Sequence, residues 1–187
     1  MEFLKKYDHP KNIRFESFKF AILEAQRRGL KIIVETGCSR GKKNFIFFSK
    51  INWKDGMSTM IFSDYAKFVN GKLISCDIEK KNISNAKKFV KENSGFVEFV
   101  LDDSIHFLSS FDSNIDFLYL DSLDGQFKGA SEHQLREIKG VLNKLHKNSL
   151  VLLDDKGSKT NLSINYMLKN NFKIINETKE QVLLGYI

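Results

Sequence analysis

Five short apolar runs, each ending in an acidic residue and each followed by a helix-length segment, constrain this chain more than any other feature. They are "KIIVE" (31–35), "KLISCD" (72–77), "FVEFVLD" (96–102), "IDFLYLD", which ends at Asp121, and "SLVLLDD" (149–155). They are rich in Ile, Val, Leu and Phe, as strands covered on both faces should be. Between them, apolar residues recur at helical spacing: Ile61, Tyr65 and Val69; Ile83, Ala86 and Val90; Leu135, Ile138, Leu142 and Leu145. A first helix is expected over about 13–29, with Phe15, Phe18, Ile22 and Ala25 facing inward and Gly29 near its end. Ser104 and Ser131 are the expected N-caps of later helices.

This alternation of strand and helix predicts an α/β fold with a doubly wound, parallel sheet and helices on both faces. The tail departs from it. "FKIINET" (172–178) and "QVLLGYI" (181–187) are two strand-like runs with too few residues between them for a crossover helix. They are expected to form an antiparallel hairpin, so the sheet is mostly parallel with one reversed strand. No linker, repeat or low-complexity segment divides the sequence, and residues 1–187 are expected to form a single domain.

Composition narrows the setting. Hydrophobic residues make up 42% of the 187, which suits a folded core. The start, "MEFLKKYDHP", carries no long apolar run, and no stretch approaches a membrane span. A soluble, cytoplasmic protein with no membrane partner is expected. Cys38 and Cys76 are too few for a disulfide framework or a zinc site and are expected to be free thiols. The formal charge of +7 permits an anionic substrate or nucleic acid without requiring either.

In an open α/β sheet, ligands bind beyond the carboxyl ends of the strands. Here those ends carry Glu35, Asp77, Asp102 and Asp103, Asp121, Asp154 and Asp155. A glycine turn follows the first strand, an acid ends the second, and an acid-polar step follows the third. Glycine lets backbone approach a bulky ligand. A carboxylate at Asp77 can accept both hydroxyls of a ribose, and Asp103 and Ser104 can reach an adenine edge. The pattern describes a nucleoside cofactor, NAD or S-adenosylmethionine (SAM).

The turn "VETGCSRG" (34–41) separates the two. It lacks the second glycine of the dinucleotide fingerprint G-x-G-x-x-G, which seats a diphosphate on a helix N-terminus. It also places Glu35 in the turn, where a carboxylate would repel diphosphate and suit a cationic amino-acid moiety. SAM is therefore the expected cofactor, with Gly37, Ser39 and Gly41 around it.

From about residue 13 to 187 the chain resembles the class I SAM-dependent methyltransferases. "VETGCSRG" resembles their first motif, "ISCDIE" the second, and "LDDSIHFL" the acid-Ser step at the adenine. The resemblance implies a Rossmann-like, seven-stranded sheet closed by the terminal hairpin. Within that class the chain looks most like small O-methyltransferases of the catechol O-methyltransferase-like and cephalosporin hydroxylase-like type. "DGMSTMIF" (55–62) resembles their Gly-x-Ser-Thr helix start, which puts Gly56 and Ser58 near the SAM carboxylate. An insertion at 42–55, with four lysines, three phenylalanines and the sole tryptophan Trp53, separates this motif from the glycine turn. It leaves Gly41 and Gly56 with equal claims and is expected to be a lid or a surface loop.

Asp121, Asp154 and Asp155 end strands that are neighbours in this fold. Three converging oxygen ligands suit Mg²⁺ or another hard divalent cation, and metal-dependent relatives carry acids at these positions. The alternative is that these acids are structural, as in metal-free relatives. Catechol-type enzymes place a lysine three residues after the fourth-strand acid; here that residue is Asp124, which with Asp121 becomes a candidate catalytic group. His106 and His133 are candidates by residue type alone.

The resulting expectation is O-methylation of a small-molecule or glycan hydroxyl. The alternatives are a nucleic-acid methyltransferase, acting on ribose 2′-O or base, and a non-catalytic SAM-binding protein. Oligomeric state is left open, a homodimer being one option.

Overall fold

The apolar runs pair side by side. The computed structural model describes residues 1–44, 49–55 and 57–186, with side chains for 1–41, 52–54 and 57–186. In chain order the elements are α1 (Phe15–Arg27), β1 (Ile32–Thr36), β2 (Lys42–Asn44), β3 (Ser49–Ile51), α2 (Ser58–Phe68), β4 (Lys72–Asp77), α3 (Lys80–Phe89) and β5 (Val97–Leu101). There follow α4 (Ser104–Ser110), β6 (Ile115–Leu120), α5 (Ala130–Val141), β7 (Leu145–Leu153), α6 (Asn161–Lys169), β8 (Phe172–Glu177) and β9 (Val182–Tyr186).

Seven strands make one sheet in the order β5-β4-β1-β6-β7-β9-β8. β5, β4, β1, β6 and β7 are parallel, while β9 runs antiparallel to both β7 and β8. The sheet is the seven-stranded, mostly parallel one expected, with its reversed strand inserted between β7 and β8. The strand order reverses between β4 and β6 around β1, and such a switch point opens a crevice at the carboxyl ends.

Successive strand residues enter opposite cores, as the two-residue period dictates. Ile33, Leu73, Phe117, Leu150 and Leu183 pack with α1 and α2 residues such as Phe18, Ile22, Ile61 and Phe62. Val34, Ile74, Leu118, Val151 and Leu184 pack on the other face with Leu108, Ile138 and Met167. Edge strand β5 is only half covered. An N-terminal 3-10 turn, Glu2–Tyr7, which no sequence pattern marked, buries Leu4 and Tyr7 and bonds Tyr7 to Asp64 of α2.

Two expected caps are corrected. Asp103, not Ser104, caps α4, because its Oδ1 accepts from the backbone N–H groups of Ile105 and His106, both at 3.0 Å. Helix α5 begins before Ser131, after Gly129 at φ 85°, a backbone conformation that glycine adopts without strain.

The 42–55 insertion contains an antiparallel ribbon, β2 with β3, and a 3-10 turn at Trp53–Asp55; residues 45–48 lie outside the described residues. Trp53 stacks on His9 with ring centroids 4.5 Å apart. Asn52 N–H bonds to Gly41 O at 2.8 Å, and Arg14 bonds to Lys54 O at 2.9 Å. No helix among the described residues is long and apolar enough to cross a membrane.

Candidate active site

The glycine turn is built from beneath. Glu35, at the end of β1, is fully buried. Its carboxylate accepts from Ser58 Oγ (2.5 Å), Thr59 Oγ1 (2.8 Å) and Ser75 Oγ (2.5 Å). Thr59 in turn accepts from Ser39 N–H at 2.8 Å, so the start of α2 is stitched to the turn. Burial pushes the Glu35 carboxyl up to about 7, against the lowering effect of the three hydroxyls. Gly37 sits at φ 86°, and a Cβ there would collide with the backbone carbonyl of Asp121. No other residue fits that crossing of β1 and β6.

Asp77, at the end of β4, is held by backbone. It accepts from Cys38 N–H (2.9 Å), Glu79 N–H (2.7 Å) and the Asn82 amide (3.2 Å). These donors fix the carboxylate at the lip of a cleft with two lobes. One, about 150 Å³, is lined by Gly37, Asp77, Ile78, Asp103, Ser104 and His133 among others. The second, about 130 Å³, shares Gly37, Asp77, Ser122 and Leu123 and adds Ser39, Arg40, Asp121, Asp124 and Phe127. His133 Nε2 lies 3.1 Å from Ser104 Oγ and 3.0 Å from Ser122 Oγ. Below it, buried Glu137 accepts from Thr36 Oγ1 (3.0 Å) and Ser122 Oγ (2.8 Å), and burial raises its pKa.

Beyond Asp121 the chemistry changes. Asp121, Asp154 and Asp155 offer carboxylate oxygens that all lie within 4.8 Å of one another. Arg14, at the start of α1, makes a bidentate pair with Asp154 (Nε–Oδ1 2.7 Å, Nη2–Oδ2 2.8 Å) and reaches Asp155 at 3.1 Å. Gln181 also donates to Asp154 at 2.7 Å. Lys159 Nζ lies 3.4 Å from Asp121 Oδ1 and 3.3 Å from Asp155 Oδ2, and Gly125 N–H donates to Asp155 at 3.0 Å.

Protonation follows from these contacts. Burial opposes ionisation of Asp154, but the Arg14 hydrogen bonds hold it low. Burial, then the charge of Asp154, raises Asp121. Burial works against charge on Lys159, and the carboxylates, Asp121 first, more than offset it and raise its pKa. A hard cation needs those oxygens for itself. Both oxygens of Asp154 are already taken, and two protein cations stand among the carboxylates. The donor set has the right chemistry for a divalent ion, but the space and the charge are in use, and the group does not fit.

The sequence profile of the methyltransferase-domain family matches residues 53–156, more than half of the chain. The chain belongs to the methyltransferase-domain family. No curated protein matches the sequence. Solved methyltransferases share its fold at low identity. The Podospora anserina methyltransferase PaMTH1, solved with SAH bound, is 13% identical, with 100% of this chain and 85% of that one covered at a TM-score of 0.66. An rRNA methylase from Streptococcus thermophilus is 14% identical, covering 96% and 99% at 0.63. A methyltransferase from Geobacter sulfurreducens is 16% identical, covering 92% and 78% at 0.62.

On this methyltransferase fold, Gly37, Ser39, Asp77, Asp103, Ser104, Asp121 and Asp124 all line the cleft. Glu35 and Ser58 lie beneath it, bonded to each other. Gly41, at φ 68°, packs instead against Phe89 of α3, where a Cβ would meet the ring. Gly56 lies outside the described residues. Asp124 is at the mouth, 3.4 Å from Arg40 Nη2. His106 pairs with Asp102 on the exposed face of α4, away from the cleft lining. Both cysteines are buried free thiols whose pKa burial raises, Cys76 to about 12. The residues missed were Thr59, Asn82, Ser122, Glu137, Arg14 and Lys159. Thr59 was visible in the Ser-Thr helix start. Arg14 and Lys159 carried no local signal.

Proposed function

We propose that this methyltransferase uses SAM and transfers its methyl group to a hydroxyl of a small-molecule or glycan acceptor. The observation that carries the reading is the cleft itself, with Asp77 fixed by three N–H donors at one end and Asp121 at the other. Bound SAM supplies an electrophilic methyl carbon on a sulfonium. Asp77 accepts the ribose hydroxyls, Asp103 and Ser104 face the adenine, and Gly37 gives the methionine part room against the backbone. Asp121, with its raised pKa, takes the acceptor's proton as the oxygen–methyl bond forms and the carbon–sulfur bond breaks. Asp124 at the mouth contacts the acceptor. Cleft geometry supplies alignment, which carries much of such a transfer.

Calorimetry with SAM and NAD tests this directly. SAM is expected to bind and NAD not; if neither binds, the reading fails. Asp77→Ala is expected to abolish SAM binding while the unfolding transition persists.

A second reading, a nucleic-acid acceptor, is favoured by one observation. Lys80, Lys81, Lys87 and Lys88 of α3 are exposed, and none pairs with a carboxylate among the described residues. A gel shift at low and at physiological salt discriminates, because phosphate contacts weaken steeply with salt.

A further inference from the structure

We propose that Lys159 is the built-in cation of the Asp121–Asp154–Asp155 group, and that this methyltransferase works there without a divalent metal. The placing of an acceptor beside the group rests on the methyl-transfer reading; the metal independence does not.

Three observations carry it. The first is occupancy. The Lys159 side chain is only 2% exposed, and its ammonium lies within 3.4 Å of both Asp121 and Asp155. An ion bound by those two residues would compete for the same oxygens. The second is charge. Arg14 and Lys159 already bring to the three acids the two positive charges that one divalent ion would bring. Adding the ion would place a dication within a few ångströms of two fixed cations, where repulsion is strong in a partly desolvated site.

The third is construction. Burying a lysine costs free energy unless its charge is paired, and here the chain after β7 is shaped to do so. Asp155 takes a left-handed backbone at φ 55°. Lys156 N–H bonds to Glu180 O at 2.8 Å, and Gly157 N–H bonds to Thr160 Oγ1 at 3.1 Å. That turn returns Lys159 to Asp155, four residues behind it, and to Asp121. Arg14 meanwhile holds Asp154 with help from Gln181, whose Oε1 accepts from Ser17 Oγ at 2.5 Å. Lys159 also lines a polar cavity of about 280 Å³ with Gly125, Gln126, Ser158 and Glu180. Lys159 is thus a positioning residue. It keeps Asp121 oriented at the cleft.

The test is a Mn²⁺ titration followed by the electron paramagnetic resonance of free Mn²⁺, with SAM calorimetry on the same samples. The unaltered protein is expected to leave the Mn²⁺ signal unchanged, and SAM affinity to be indifferent to a chelator. Lys159→Met and Lys159→Gln are expected to take up one Mn²⁺ per chain, and Lys159→Arg, which keeps the charge, to take up none. Adding Asp121→Asn to Lys159→Met is expected to abolish the uptake. Stoichiometric uptake by the unaltered protein that Asp121→Asn removes overturns the proposal. So does a folded Lys159→Met that takes up no Mn²⁺. If both neutral variants fail to fold, the titration of the unaltered protein decides alone. Failure of SAM to bind, with the Mn²⁺ results as expected, overturns only the cofactor reading.

Discussion

The two halves of the cleft hold the same kind of group in different ways. Around the glycine turn, Glu35 is satisfied by three hydroxyls and Asp77 by backbone and amide N–H donors, all neutral. Past Asp121, the acids are held by a guanidinium and an ammonium. Neutral donors fix geometry and leave a negative field that a cationic ligand can use. Cations remove most of that field and lock the acids to distant parts of the chain. On the proposed function the first half is the receptor for the cofactor, and the second is a neutralised support.

The difference can be broken experimentally. The largest effect is expected for Arg14→Met, which leaves Asp154 buried with its cation gone. Removing one partner of a buried pair costs about 3–5 kcal/mol, read from urea unfolding. A loss below about 1 kcal/mol would show that Asp154 does not depend on its cation.

The next is a pH effect confined to the receptor half. Glu35 titrates at about 7 in the folded protein against about 4.5 unfolded. Between those values the folded state binds more protons, so stability falls as pH rises through that window and levels off above it. The shift corresponds to about 3 kcal/mol. The difference in unfolding free energy between the unaltered protein and Glu35→Gln should follow that slope from acid to neutral pH. A flat difference would remove the claim that Glu35 is buried and proton-linked.

Ser75→Ala should be smaller, about 1–2 kcal/mol, because two hydroxyls remain on Glu35. A cost matching Arg14→Met would erase the distinction between the halves. Smallest of all, Asp124→Asn should stay within about 0.5 kcal/mol, since its side chain is partly exposed and its contacts are long. Differential scanning calorimetry would resolve that figure from the others.

Much of this was legible in the residues. β1, β4 and β6 announce themselves as short runs rich in apolar residues, and the short gap before "QVLLGYI" forces the hairpin. The cleft residues were legible because they follow directly from where those strands end. The ribbon was not: "KKN" and "SKI" have no apolar alternation to mark them. Nor was the neutralised half. Arg14 and Asp154 are 140 positions apart, and only the packed fold brings α1 against the end of β7. Glu35 was read as facing a ligand, and its partners Ser58, Thr59 and Ser75 come from two other elements.

The way the ribbon is tethered has an evolutionary consequence. Its base is closed by the Gly41–Asn52 bond, the Trp53–His9 stack and the Arg14–Lys54 bond, all of which lie outside the ribbon's own strands. A segment closed at its base can change length at little entropic cost, since closure entropy grows only with the logarithm of loop size. Descendants of this chain could therefore exchange that segment for another, and with it whatever it presents, while the sheet, the glycine turn and the buried charges below are inherited unchanged.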